Sequence, residues 1–185
     1  MISRETLRGW MSECGLHQTK PRKVRLHRWR ERRQCFGELV QMDTSEHDWL
    51  EGRGPKLYLI TMIDDATSRL MARFYPSDST LSNMDLLKRY IPRHGRPLSL
   101  YTDKASHFKY SGPVDIEHQL SGQSPKTQIE RALRSLEIGL IWAHSPQAKG
   151  RVGRQFGTMR DRLVKRLRLV GAYDLESATN AWRAT

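Results

Sequence analysis

Toward the carboxyl end of the chain, apolar residues recur at Val152, Phe156, Met159, Leu163, Leu167 and Val170. Steps of three and four residues trace one face of a helix, so the pattern predicts a long amphipathic helix, entered from the Pro-Gln-x-x-Gly turn at residues 146–150. Gly153 and Gly157 lie within it, although a glycine costs about 1 kcal/mol against alanine inside a helix. Upstream the grammar is that of strands. Residues 39–43 read as a short strand ending in Asp43, residues 56–63 as an apolar strand, and residues 70–75 as a third. Glu51-Gly52-Arg53-Gly54-Pro55 and Asp64-Asp65 supply the turns, and consecutive antiparallel pairing is the simplest arrangement.

The period then changes. Leu81, Met84, Leu87, Tyr90 and Ile91 share a helical face that Pro92 and Gly95 are expected to stop. Residues 98–103 predict another strand ending in an acid, Asp103, and a Ser-, Gly- and His-rich loop occupies residues 104–125. Thr127-Gln128-Ile129-Glu130 has the form of a capping box, opening a helix with Ile129, Ala132, Leu133 and Leu136 inward and Gly139 at its end. Residues 140–143 make a fifth strand. The order β-β-β-α-β-α-β-α predicts an α/β layer in which helices cover a five-stranded mixed sheet.

Before this lies a short helix, with Ser3 as N-cap, Glu5 in its first turn, Leu7, Trp10, Met11 and Cys14 on its apolar face, and Gly15 at its end. Alone it cannot bury that face. It either docks on the main domain or is the last helix of a helix-turn-helix, the favoured reading because Arg4, Thr6 and Arg8 suit a DNA groove. The expected organisation is therefore a DNA-binding segment over 1–16, a basic linker over 17–35, the main domain over 36–172, and the start of a further, truncated helix over 173–185.

Charge changes this picture from a generic α/β domain to one with a polyanionic partner. The formal net charge is +12, and it is clustered rather than spread. Residues 20–33 carry Lys20, Arg22, Lys23, Arg25, Arg28, Arg30, Arg32 and Arg33 against Glu31, and Lys149, Arg151, Arg154, Arg160, Arg162 and Lys165 line the predicted helix. Such stripes follow nucleic-acid phosphates, giving affinity without sequence readout; the plainer alternative is a solvated face. The apolar run of residues 57–63 is too short to span a bilayer, so no membrane role is expected. Two cysteines and no secretory signal point to a reducing cytoplasm or nucleoid. Cys14, His17, His27 and Cys35 have spacings that match no common zinc finger.

Asp43 and Asp103, at the carboxyl ends of predicted strands, stand where open α/β sheets place ligand sites. Acids there in so basic a chain suggest hard oxygen ligands for Mg²⁺ facing a phosphate. By position alone, strand-end turn formation or salt bridging explains them equally well.

Four motifs then carry a resemblance: Gly-Glu-Leu-Val-Gln-Met-Asp-Thr-Ser-x-His-x-Trp at 37–49, Ile-Asp-Asp-Ala-Thr-Ser-Arg at 63–69, Leu-Tyr-Thr-Asp-Lys at 100–104 and Ser-Pro-Gln-Ala-Lys-Gly-Arg-Val at 145–152. Together they resemble the integrase-core DDE transposases of bacterial insertion sequences, relatives of retroviral integrases with an RNase H-like fold. The resemblance covers about residues 36–170. It implies transposition and DNA integration by a triad of two Asp and one Glu holding two Mg²⁺ (or Mn²⁺) ions, one activating water or a 3′-hydroxyl and the other stabilising the leaving oxygen. It also implies DNA as partner, at element ends and target, and a homodimer or higher oligomer on DNA. Asp43 and Asp103 match the first two acids, but where the third should stand this chain has Gly153. Glu137 lies before the fifth strand, on a different helix. Asp161 is about 12 Å further along the helix axis at 1.5 Å per residue, and Asp64 and Asp65 belong to the second turn. The third ligand thus reads as absent, which implies an impaired enzyme. The alternative is an inactive DNA-binding remnant that regulates or competes with an active transposase.

Overall fold

The computed structural model describes residues 2–16, 31–113, 124–143 and 150–183; the side chains of residues 150–155 and 183 are outside that description. The chain divides into two compact units, Met1–Glu31 and Arg32–Thr185.

In the first unit, helix α1 spans Arg4–Glu13. Its cap is the expected one: the Thr6 N–H donates to Ser3 Oγ at 3.1 Å, and Gly15 takes a left-handed φ of 69° just beyond the end. No α1 side chain is buried.

The second unit is built on strands β1 (Val40–His47), β2 (Leu57–Asp64), β3 (Leu70–Tyr75), β4 (Ser99–Thr102) and β5 (Gly139–Trp142), with helices α2 (Thr80–His94), α3 (Gln128–Ser135), α4 (Gly150–Leu169) and α5 (Leu175–Arg183). The sheet order is β3-β2-β1-β4-β5. β1–β2 and β2–β3 are antiparallel, whereas β1–β4 and β4–β5 are parallel. The mixed sheet is therefore an antiparallel meander with parallel strands added through helical crossovers.

Both faces of the sheet are covered, which explains why β2 is apolar almost throughout. Val40, Met42, Ile60, Met62 and Leu100 pack under Leu86, Leu87 and Tyr90 of α2 and Ile129 and Leu133 of α3. On the other face, Leu57, Leu59, Ile63 and Phe74 meet Phe156, Met159, Leu163 and Leu167 of α4 and Ala178 and Ala181 of α5. From Phe156 to Leu167 the stripe predicted for α4 is thus its buried face; Val170 lies past the helix end and is exposed, and the side chain of Val152 is outside the described set.

Other expectations are corrected. β1 does not end at Asp43. Residues Thr44 to His47 continue it, because β2 offers them partners from Ile60 to Leu57. Pro92 does not stop α2 but sits inside its last turn, and the stop is Gly95, whose N–H donates to Ile91 O at 2.8 Å from a φ of 82°. Leu81, in the first turn of α2, and Leu136, the C-cap of α3, are exposed rather than inward; Ile138 is buried instead. Gly139 does not end α3 but opens β5. Its N–H donates to Leu98 O at 2.9 Å, and a Cβ there would lie 3.4 Å from that same oxygen.

Candidate functional site

Parallel pairing of β1 with β4 sets Val40 opposite Leu100 and Gln41 opposite Tyr101. The parallel pairing stops there; Asp43 on β1 and Asp103 just past the end of β4 each lie two residues beyond it. Asp103 follows the last residue of β4 and turns the chain, its Oδ1 accepting from the Ala105 N–H at 2.9 Å. Asp43 stays within β1: its Oδ1 accepts from the Thr44 N–H at 3.1 Å, and its carbonyl accepts from Thr61 Oγ1 at 3.1 Å on β2. Both aspartates are half-buried. Because Met42 points into the core under α2, the alternation of the strand turns Asp43 and Ser45 to the face that α4 covers.

Helix α4 runs beside β1 in the same direction. Arg160 Nη2 donates to Ser45 Oγ at 3.2 Å, Arg53 Nη1 donates to Leu167 O at 3.1 Å, and Arg168 pairs with Glu51, its Nε lying 2.8 Å from Oε2. Stepping back from Arg160, seven residues cover about 10 Å and two turns of helix and reach Gly153. Stepping back from Ser45, two residues cover about 7 Å and reach Asp43. Gly153 therefore belongs to the first turn of α4, on the side of the helix that bears Arg160.

The other acids are employed elsewhere. Glu137 is exposed two residues before β5, on the side of the beginning of β4 rather than its end. Arg96 Nη1 sits 2.6 Å from its Oε2 and holds the carboxyl below the usual carboxylate range. Asp161 is exposed and paired with Lys165 at 2.6 Å, a hydrogen bond that likewise lowers its pKa. Asp64 and Asp65 are 1% and 0% exposed. Asp64 Oδ2 accepts from the Gly37 N–H (2.8 Å), and its Oδ1 from the N–H (2.8 Å) and hydroxyl (2.7 Å) of Thr67. Asp65 Oδ2 accepts from the Arg33 N–H (2.9 Å) and Oδ1 from Gln41 Nε2 (2.8 Å). This clamp fastens the segment before β1 to the β2–β3 turn, and its only sequence signal was the Asp-Asp-x-Thr spacing of an Asx-type turn.

Of the basic residues named from sequence, Arg162 and Lys165 lie exposed on α4, Lys165 with Asp161 beside it, whereas Arg160 is the one that reaches inward to Ser45. Arg151 and Arg154 are on the first turns of α4, with side chains outside the described set. Arg4 and Arg8 are exposed on α1. Lys149, Lys20, Arg22 and Lys23 lie outside the described residues, as do His17 and His27. Cys14 and Cys35 are exposed thiols. Among the described residues no group of three or more His, Cys, Asp or Glu is placed to hold a metal ion, and no helix is long and apolar enough to cross a membrane.

The fold defines the class. The structure matches that of a simian T-cell lymphotropic virus intasome, solved with a PP2A regulatory subunit, at a TM-score of 0.64 and 18% identity, over 91% of this chain and 55% of that one. It matches the HTLV-2 integrase catalytic core domain in complex with magnesium at 0.55 and 18% identity, over 78% of this chain and 80% of that one. At such identity the likeness establishes the fold alone: an RNase H-like core of the retroviral-integrase type. Sequence then assigns the family. Residues 33–139 match the Integrase core domain family, and the chain belongs to it. It is 44% identical over 171 residues to the transposase-family protein y4bF of Sinorhizobium fredii, covering 92% of this chain and 36% of that protein. It is 34% identical over 159 residues to the transposase for insertion sequence IS1202 of Streptococcus pneumoniae, covering 85% and 33%. The chain thus spans about a third of the length of these two relatives.

Proposed function

We propose that this chain is the catalytic-core portion of an insertion-sequence transposase, acting on DNA by divalent-metal-dependent phosphodiester cleavage and strand transfer, and that Gly153 leaves it severely impaired. The carrying observation is the parallel pairing of β1 with β4, with Asp43 and Asp103 each two residues beyond the last pair, and with Gly153 in the first turn of α4, the helix whose Arg160 reaches Ser45 on β1. The two relatives named as transposases support the reading.

The donor set suits one hard divalent cation: Asp43 and Asp103 each present a half-buried carboxylate, oxygen ligands of the kind Mg²⁺ and Mn²⁺ select. It does not suit a full three-acid, two-ion site, because nothing at position 153 can coordinate. When bound, such ions supply Lewis-acid stabilisation of the phosphoryl group and a more acidic nucleophile. The protein's own part is to carry the two carboxylates beyond the paired ends of β1 and β4, pin the Asp103 turn through Ala105, and present Arg162, Arg151, Arg154 and Lys149 to the DNA backbone. Lys20, Arg22 and Lys23 extend that contact, and residues 1–16, with Arg4 and Arg8, act as the end of a helix-turn-helix. Assembly as a homodimer or higher oligomer on DNA belongs to the same proposal.

A missing ligand that costs about 4 kcal/mol of transition-state stabilisation slows the reaction roughly a thousandfold. The variant Gly153→Glu is therefore expected to raise Mg²⁺-dependent strand transfer by about that factor. Equal activity before and after the change would overturn the impairment. Gly153 also favours a second reading, a non-catalytic competitor for element ends. Calorimetric titration with Mg²⁺ or Mn²⁺ separates the two, since heat of binding that disappears in Asp43→Asn supports the enzyme and its absence in the parent chain supports the competitor.

A further inference from the structure

The outer edge of β3 carries a second basic feature, two strands across the sheet from Asp43. An open groove of about 640 Å³ lies there, with Arg69 and Arg73 from the β3 side, Arg89, Arg93 and His94 from α2, and Thr179 from α5. β3 is an edge strand, two strands away from β1. Charged side chains commonly protect such an edge from pairing with another chain, but edge protection requires no concavity and no buried polar groups. Here the hydroxyl of Thr179 and Nδ1 of His94 are buried without a hydrogen-bond partner among the described residues.

The charge in the groove is also poorly compensated. Asp85 is the carboxylate that serves it, and it is already engaged by Arg89 Nε at 2.7 Å and by the Tyr75 hydroxyl at 2.8 Å. Asp64, in the turn before Arg69, is occupied by Gly37 and Thr67. Arg73 lies over the Tyr75 ring, 5.9 Å from its centroid, and neither it, Arg69 nor Arg93 forms an ion pair with a described carboxylate. Burial, then the neighbouring Arg69 and Arg93 guanidiniums, push the His94 imidazole below the ordinary histidine range.

We propose that this groove is a phosphate-binding site for a DNA backbone, separate from the DNA contacted at the Asp43–Asp103 face. Guanidiniums bind phosphate oxygens bidentately, and their layout suits a repeating anion. Arg89 and Arg93 are one helical turn apart, about 6 Å along the axis. Arg69 and Arg73 are spread over about 13 Å of extended chain. Two rows of cations on either side of an open groove match a polyphosphate strand better than a single small anion, and the +12 charge of the whole chain draws the same partner.

The test uses the full chain, a 20-base-pair duplex of arbitrary sequence, and a glutamate-rich peptide as competing probe. Arg69 and Arg93 are exposed, so the double variant Arg69→Glu/Arg93→Glu is expected to fold, which unchanged thermal melting checks. Loss of two phosphate contacts should lower the slope of log affinity against log salt by about 2 and weaken duplex binding at low salt. In parallel, the His94 ring resonance, assigned by its loss in His94→Gln, should titrate at higher pH once duplex is added, because bound phosphate offsets the two guanidiniums. An unchanged salt slope together with an unmoved His94 would overturn the proposal. So would movement of His94 by the peptide but not by the duplex, which would assign the groove to an acidic protein partner. Should the double variant melt early, the His94 titration of the parent chain decides alone. That signal is local to the groove, so failure of the Asp43–Asp103 reading leaves it intact.

Discussion

Two pairs of aspartates, Asp64–Asp65 and Asp43–Asp103, occupy the same sheet and have opposite uses. Asp64 and Asp65 are buried, adjacent in sequence, and anchored on N–H and hydroxyl donors from residues 27 and 32 positions upstream and from the next turn. Asp43 lies on, and Asp103 just past, strands that are distant in sequence and pair in parallel, and their described bonds, from the Thr44 and Ala105 N–H groups, are local. An acid whose oxygens are filled by the fold stabilises the fold. A half-buried acid at the growing end of a parallel strand pair keeps a face toward ligand. All four are aspartates, and among their described bonds what separates them is how far along the chain the donors lie.

That contrast can be measured on one scale, the free energy of unfolding. The largest effect is expected at Asp64. Asp64→Ala orphans the Gly37 N–H and both donors of Thr67, and leaving buried donors unmade at about 1–3 kcal/mol each puts the loss near 4 kcal/mol. Urea denaturation checks it, and a loss below about 1 kcal/mol would mean that solvent replaces the carboxylate and that the clamp is not structural.

A smaller effect probes the clamp's charge. Burial, then the Asp64 charge, pushes the Tyr90 phenol up to about 12. A phenol whose folded pKa exceeds its unfolded value, near 10, binds its proton more tightly in the native state. Its contribution is therefore complete below pH 10 and disappears as the pH rises through 12. Between pH 9 and 11 the chain should lose about 1 kcal/mol of stability from this group, and Tyr90→Phe should remove that part of the decline. A pH profile identical in parent and variant would show that Tyr90 does not report on the clamp.

How far these differences could be read in advance depended on range. The capping box at Thr127 and Glu130 is present in full, with Glu130 N–H to Thr127 Oγ1 at 3.2 Å and Thr127 N–H to Glu130 Oε2 at 2.6 Å. The β3 strand and the buried stripe of α4 also match expectation, since each is encoded within a few neighbouring residues. What required the fold was long-range. β1 extends past Asp43 because β2 pairs with it, Gly139 opens a strand because Leu98 O approaches closely, and the Asp64–Asp65 clamp needs a segment about 30 residues away. The arginine groove was not legible because it draws on three elements, none of which is unusually basic alone. The family motifs did bring Asp43 and Asp103 into one site reading, although neither periodicity nor charge distinguishes them from turn formers.

The smallest effect on stability, and the sharpest comparison, comes from Asp43→Asn and Asp103→Asn. Asparagine keeps an Oδ1 able to accept from the Thr44 or Ala105 N–H, so the described local bonds survive the change. Unfolding free energies should therefore stay within about 0.5 kcal/mol of the parent chain. Added Mg²⁺ or Mn²⁺ discriminates further: an ion that binds only the native state raises the parent's melting temperature in a concentration-dependent way, and neither variant should follow. A loss of several kcal/mol in metal-free buffer would place Asp43 and Asp103 with Asp64 and Asp65 as structural acids, and the distinction between the two pairs would collapse.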